Sequence, residues 1–273
     1  MTTAVVTTRE QELAEALAAV RSRLTAAADA AGRDAGEIEL LPVTKFFPAE
    51  DIVILRRLGC ASFGESREQE ASNKVARIGE LRDVQPIRWH MVGRIQRNKA
   101  RAVAGWAYAA HSVDNRKLID ALDRASGEAL GDGRRTDPLR VFIQVSLDGD
   151  DKRGGVDVGN PEAIDEMCAA AHAAAGLEFV GLMAIPPLGA DADEAFARLK
   201  AEHQRVQTSY PQRLGLSAGM SSDLESAVEH GSTCVRVGTA LLGERPLPSP
   251  GVVTPVTSSS QAPESKVIRR VER

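Results

Sequence analysis

Three kinds of residue in this chain have the types and spacing to do chemistry. The first is Lys45, which closes the run Leu40-Leu-Pro-Val-Thr-Lys45. Strand alternation puts Leu41, Val43 and Lys45 on one side. If that side faces an enclosed interior, the lysine loses hydration, which favours the neutral amine, and a neutral amine condenses with an aldehyde. A surface lysine that happens to end a strand fits the same letters. The second is a pair of glycine turns, Leu216-Ser-Ala-Gly-Met-Ser-Ser-Asp-Leu-Glu225 and Val235-Arg-Val-Gly-Thr-Ala-Leu-Leu-Gly243. Each reads as a short apolar strand running through a glycine into a helix. Ser222 and Glu225 have the spacing of a capping box, which predicts a helix start whose unpaired N–H groups suit a phosphate. Gly219 and Gly238 let the backbone approach a ligand closely, and Ser217, Ser221 and Thr239 are hydroxyls placed to donate to phosphate oxygens. Ordinary βα turns are the alternative, less apt for two in succession than for one. The third is Arg236, which shares a strand face with Cys234 and Gly238 while Val235 and Val237 take the other. A buried arginine needs an acceptor, either a neighbouring carboxylate or a ligand one step below the phosphate turn.

Other reactive types form no comparable set. His90, in Arg88-Trp-His-Met-Val-Gly93, alternates with Arg88 and Val92 and could reach the same mouth, or be a satisfied structural histidine. His111, His172, His203 and His230 have no metal-ligand spacing, and no nucleophile–histidine–carboxylate group emerges. Asp148-Gly-Asp-Asp151 with Lys152-Arg153 reads as a solvated loop.

The elements that must position these residues follow from periodicity. Glu10 to Ala31 is a helix with Leu13, Leu17, Val20 and Leu24 on one face, closed by Gly32. Eight strands then alternate with helices: Ile38–Lys45, Cys60–Phe63, Ile87–Gly93, Ala107–His111, Arg140–Ser146, Glu178–Ile185, Leu214–Gly219 and Thr233–Gly238. Helical patterns cover Ala49–Leu58, Arg67–Leu81, the stretch marked by Leu118, Leu122 and Ala125, and Asp193–Gln207. Asn160 and Pro161 make an N-cap and first-turn pair for a helix ending near Gly176. One leading helix and eight βα units predict a single-domain parallel (β/α)8 TIM barrel over residues 10–245, with a doubly wound open sheet as the alternative. In such barrels the chemistry sits at the C-terminal strand ends, with phosphate commonly held after strands 7 and 8, where the two glycine turns fall. Residues 1–9 read as a flexible start. Pro246, Pro248, Pro250, Pro255 and Ser258-Ser-Ser260 mark 246–273 as a disordered tail ending in the basic Lys266–Arg273.

Composition excludes several function classes. Of 273 residues 43% are hydrophobic and only 4% aromatic, so small aliphatic side chains fill a sizeable core. A net charge of −4 with scattered basic residues argues against nucleic acid or an anionic membrane as partner. Cys60, Cys168 and Cys234 are far apart, and with no export signal they fit a reducing cytoplasm.

Five short motifs occur in order: Pro42-Val-Thr-Lys45, Phe63-Gly-Glu-Ser66, Trp89-His-Met-Val-Gly93 with Gln96-Arg-Asn-Lys99, Gly219-Met-Ser-Ser-Asp223 and Val235-Arg-Val-Gly-Thr239. Through them the chain, over roughly residues 10 to 245, resembles the pyridoxal phosphate homeostasis protein family, which looks like the barrel domain of alanine racemase without its second, β-rich domain. The resemblance implies pyridoxal 5′-phosphate held as an internal aldimine on Lys45. Its phosphate would lie around Ser221, Gly238 and Thr239, with Ser217, Gly219 and Met220 about the pocket. Arg236 would face the pyridine nitrogen, which weakens the ring as an electron sink. Ser66 stands where the family usually has asparagine, and Arg94 where it usually has proline.

Three readings then compete. The leading one is a cytoplasmic, monomeric carrier or buffer of pyridoxal phosphate that passes it transiently to apoenzymes, with no catalytic residue assigned. The second is a pyridoxal-phosphate-dependent amino-acid racemase. It needs a base on each face of the carbanion, and Tyr108 and Tyr210 have no recognisable catalytic context. The third is a Schiff-base aldolase acting on a phosphorylated sugar.

Overall fold

Strands buried on both faces and separated by helices can satisfy their edges only by pairing in parallel around a core. The computed structural model describes residues 8–81, 84–149 and 154–244. In chain order the elements are α1 (Thr8–Ala30), β1 (Glu39–Pro42), α2 (Ala49–Arg57), β2 (Ser62–Glu65), α3 (Glu68–Gly79), β3 (Arg88–Met91), α4 (Ala100–Trp106), β4 (Ala109–Val113), α5 (Arg116–Gly131) and β5 (Leu139–Ser146). They continue with β6 (Val156–Asp157), α6 (Pro161–Ala173), β7 (Leu177–Ala184), α7 (Ala192–Gln207), β8 (Gly215–Ser217), α8 (Leu224–Glu229), β9 (Cys234–Val237) and α9 (Thr239–Leu242). Hydrogen-bonded neighbours run β1-β9-β8-β7-β5-β4-β3-β2. The two ends of that path meet through a parallel bridge between Val43 and Gly64, where the Thr44 N–H donates to the Gly64 carbonyl at 2.9 Å. The result is a nearly closed (β/α)8 barrel, as the repeat count predicts, and not an open sheet. The sequence gives no sign of β6, a two-residue strand that pairs only with the end of β5.

Alternation divides the strand residues between two layers. Leu139, Val141, Ile143 and Val145 of β5 point outward into an apolar cluster with α4, α5, α6 and α7. Val235 and Val237 of β9 point outward into a second cluster with α1, α2, α8 and α9. Helix α1 places Leu13, Leu17, Val20 and Leu24 on one buried face and packs across α2, α8 and α9, so it covers the seam where β9 meets β1. Polar contacts fasten it there. Arg9 donates to Asp51 at 2.7 Å and to the Leu242 carbonyl at 3.1 Å. Just beyond α1, Arg33 donates to the Val228 and Ser232 carbonyls, both at 2.8 Å.

Helix starts follow their caps. Asn115 accepts from the Leu118 N–H, Asp191 from the Asp193 N–H, and Asn160 from the Ala163 N–H with Pro161 in the first turn. The Ser222–Glu225 capping box does not form. Helix α8 begins at Leu224, Asp223 Oδ1 accepts from the Met220 N–H, and Glu225 is drawn away to Arg23 of α1 at 2.8 Å. Residues 1–7, the predicted Pro/Ser-rich tail at 246–273 and Asp150–Arg153 of the acidic-basic run lie outside the described residues. Thr8 and Arg9 belong to α1.

Candidate functional site

At the C-terminal ends of the strands lies a cavity of about 440 Å3. Of the residues singled out in the sequence, Lys45, Ser66, Met220, Ser221, Arg236, Gly238 and Thr239 line it. Seven residues from five loops or strands thus converge on one space. Ser217 and Gly219 stand behind its wall. Ser217 is fully buried and reaches the cavity only through its bond to Arg236. Gly219 has φ +89°, and a Cβ there would sit 2.5 Å from the Ala227 Cβ, so this glycine lets the turn press onto α8. Gly238 is different: a Cβ would meet nothing nearer than the Val43 carbonyl at 3.5 Å, and the space it would fill belongs to the cavity.

Lys45 sits between two anchored neighbours. Lys74 of α3, 8% exposed, donates to the Thr44 carbonyl at 2.8 Å, to Glu65 Oε1 at 2.8 Å and to Glu70 Oε1 at 2.7 Å. Glu70 Oε1 in turn accepts from the Phe46 N–H at 2.7 Å, and Glu65 Oε1 from the Thr44 hydroxyl at 2.7 Å. Phe46 is the one described residue other than glycine with positive φ, +70°. That conformation is disfavoured for a bulky side chain and persists only where surroundings fix it. Here the Glu70 carboxylate holds the amide, and Arg67 lies 4.7 Å over the Phe46 ring. The residues on both sides of Lys45 are therefore pinned by one buried ionic cluster. Burial raises the Glu65 carboxyl above its usual range, against the opposing pull of Lys74.

The anion-binding features follow from the last two turns. Gly238 opens α9, whose first N–H groups face the cavity end of the helix. Ser221 Oγ accepts from the Ala240 N–H at 3.2 Å, which ties the two turns together and leaves the hydroxyl proton free to donate outward. Below them Arg236 is 5% exposed. Its guanidinium donates to Ser217 Oγ at 2.6 Å and to the Ala184 carbonyl at 2.9 Å, and burial depresses its pKa. No carboxylate makes an ion pair with it among the described residues; neutral oxygens solvate its charge, and Asp223 acts on it from a greater distance.

Sequence reasoning did not find the group beneath Arg236. Ser217 Oγ and His111 Nδ1 are 2.8 Å apart, and His111 Nε2 and His90 Nδ1 are 2.9 Å apart. His111 stacks on Phe142 with ring centroids 4.4 Å apart. His90 therefore does not reach the upper mouth; it stands in the middle of the barrel. Both rings are neutral, because burial lowers the pKa of His90 to about 4 and that of His111 well below its usual value. The three cysteines are buried, and burial pushes Cys168 and Cys234 up to about 12, which leaves them inert as nucleophiles. Neither tyrosine lines the cavity. Tyr108 lies at the opposite barrel end, and Tyr210 packs edge-on against Phe179 and His172.

A strand-end amine, an anion cradle and a buried guanidinium around a partly apolar space can hold a small anionic carbonyl compound. Comparison with known proteins identifies the family. The family model "Alanine racemase, N-terminal domain" matches residues 16–246. A pyridoxal phosphate homeostasis protein of Mycobacterium tuberculosis is 63% identical over 248 residues, covering 89% of this chain and 96% of that protein. The protein of the same name from Escherichia coli K12 is 34% identical, covering 86% and 97%. The structure of PipY from Synechococcus elongatus, solved with PLP bound, superposes with a TM-score of 0.71 at 34% identity, covering 85% of this chain and all of that one. Alanine racemase of Corynebacterium glutamicum shares the fold, with a TM-score of 0.60 at 15% identity over 60% of its length. The extent and identity of these matches establish that the chain belongs to the pyridoxal phosphate homeostasis protein family.

Proposed function

We propose that this protein binds pyridoxal 5′-phosphate reversibly at the upper mouth of the barrel, buffers it inside the cell and passes it to enzymes that need it. The single observation behind this reading is the convergence of Lys45, the Ser221–Gly238–Thr239 cradle and Arg236 on one cavity. The residues fit the group. The cradle at Gly238 is space that a Cβ would fill, Ser221 has a hydroxyl proton to donate, and Arg236 is a buried cation with no carboxylate in an ion pair with it among the described residues. When bound, the vitamer supplies an aldehyde that condenses with a primary amine. Lys45 is the amine that would take it. Ser221 and the hydroxyl and N–H of Thr239 would hold the phosphate, and Val43, Met220 and Ile185 would flank the ring. Arg236, as a permanent donor, would favour an unprotonated pyridine nitrogen, which would suit storage better than carbanion chemistry. Gly219 and Ser217 act from behind the wall, on backbone placement and on Arg236.

Delivery needs an open side. Ile185 at the cavity rim is 37% exposed and Leu188, three residues on, is 97% exposed. This apolar rim is where a cofactor-accepting enzyme would make contact. The protein works as a monomer in this reading, with a sedimentation mass near 29.1 kDa. Among the described residues no helix is long and apolar enough to cross a membrane. The test is a two-stage assay. The purified protein is titrated with pyridoxal phosphate by visible absorbance, then mixed with an apoenzyme whose activity reports transfer. Saturable absorbance and recovered apoenzyme activity are expected, with Leu188→Asp slowing transfer while leaving the titration unchanged. Absorbance that never saturates, or a loaded protein that reactivates nothing, would contradict the reading.

A further inference from the structure

The barrel has a second mouth, and a chain of buried side chains joins it to the first. Arg236 donates to Ser217 Oγ, so the serine proton must go elsewhere. Its two neighbouring acceptors are His111 Nδ1 at 2.8 Å and the Cys234 thiol, which burial keeps protonated; the imidazole nitrogen is the stronger acceptor. His111 then has its proton on Nε2 and gives it to His90 Nδ1, which places the His90 proton on Nε2. The direction of the whole chain is thus assigned from its end at Arg236. His90 Nε2 has no hydrogen-bond partner among the described residues, although the residue is only 2% exposed. An orphaned buried donor of this kind is rare in a folded protein and implies a missing acceptor.

His90 forms the inner end of a cavity of about 610 Å3 at the N-terminal ends of the strands. The walls nearest the ring carry Arg88 with Glu39 and Arg140 with Glu178, pairs separated by 3.4 and 3.6 Å. Arg88 Nε also donates to Ser62 Oγ at 3.0 Å, and the Ser62 hydroxyl to Glu39 Oε1 at 2.6 Å. Tight charge-assisted bonds are shorter than the two ion pairs, so each guanidinium keeps donors on its terminal nitrogens for a guest. Tyr108 accepts from Arg140, which leaves its own hydroxyl proton free, and its ring centroid lies 5.5 Å from that of His90. Further out, Arg213 and Glu37 close on one another at 2.8 Å. Cations and carboxylates are therefore balanced around a neutral imidazole. A simple anion entering would meet Glu39 and Glu178, and a simple cation would meet Arg88 and Arg140. A molecule with both charges satisfies both.

We propose that this lower cavity is a binding site for a compact zwitterion, a free α-amino acid. Its carboxylate accepts from His90 Nε2–H, Tyr108 and the guanidiniums of Arg88 and Arg140, and its ammonium meets Glu39. A carboxylate there reinforces the chain direction in which Arg236 donates into Ser217, so occupancy of the two mouths is coupled. Only that coupling rests on the cofactor reading; binding at the lower mouth does not.

The test is calorimetric titration of glycine into the full-length protein free of pyridoxal phosphate, and into Lys45→Ala. Inorganic phosphate and methylamine serve as single-charge comparators. Glycine binds both proteins equally, and Arg88→Met weakens it about tenfold, the usual scale for one lost charge-assisted bond. Should Arg88→Met fail to fold, the imidazole 15N shift of His90 in the unaltered protein decides, moving saturably with the calorimetric midpoint. The proposal is overturned by no heat at millimolar glycine or by an unmoved His90 ring. It is equally overturned by phosphate or methylamine binding as tightly as glycine. Binding lost in Lys45→Ala would place the guest at the upper mouth and overturn it too, whereas a failed cofactor titration would leave this result standing.

Discussion

Arg236 and Lys45 are two cations held in opposite ways. Lys45 is flanked by residues that an ionic cluster pins, whereas Arg236 is itself buried and, among the described residues, donates to Ser217 and Ala184. If the guanidinium also faces the ligand, Arg236→Gln should raise the dissociation constant for pyridoxal phosphate about tenfold, the cost of one hydrogen bond to a charged group. Absorbance titration measures this, and an unchanged constant would confine Arg236 to a structural role. Both residues were legible in the sequence, because strand alternation fixes which side of a strand a residue takes and Leu41, Val43 and Val237 mark the sides. Ser217 was legible as a hydroxyl near the site, but its contact is with a histidine 106 positions away, which no local pattern encodes.

Among the elements, α3 has a part that its amphipathic pattern conceals. Lys74 looks like a residue on a solvated helix face, yet it is buried against Thr44, Glu65 and Glu70. Removing one partner of a buried charge cluster leaves the others uncompensated, so Lys74→Met should cost about 3–5 kcal/mol in urea unfolding. It should also slow capture of the vitamer by freeing the left-handed turn at Phe46. Loss of stability with unchanged capture kinetics would sever the cluster from the site. Gly219→Ala should destabilise through the 2.5 Å approach to Ala227 and the positive φ. The eight barrel strands were legible because short apolar runs sit between turn residues, with ends misplaced by up to three positions. Helix α8 was misjudged for a physical reason: Glu225 has a better partner in Arg23, on a helix 202 residues earlier.

At the scale of the whole molecule, the barrel centre has a polar layer where an aliphatic one is usual. His90 and His111 are buried neutral, and their folded pKa values lie below those of the unfolded chain. The unfolded state therefore binds more protons as pH falls, so stability is full above about pH 6.5 and declines until about pH 4, where His90 protonates in the folded state too. For His90 alone this amounts to about 3 kcal/mol. Glu65, whose pKa burial raises, acts with the opposite sign: its contribution is present below the unfolded carboxylate value and lost as pH rises through the folded one. Urea unfolding from pH 7 to pH 4 should show a net loss that shrinks in His90→Gln. An equal loss in that variant would assign the acid sensitivity to other groups.

The central claim is that one amine, at position 45, takes the vitamer at the upper mouth. Its most direct test is borohydride reduction of the protein saturated with pyridoxal 5′-phosphate, followed by mass mapping of the modified peptide. The account predicts a single label on Lys45, with Lys45→Ala unlabelled under the same conditions. A label spread over exposed lysines, or an unaltered extent of labelling in Lys45→Ala, would contradict it.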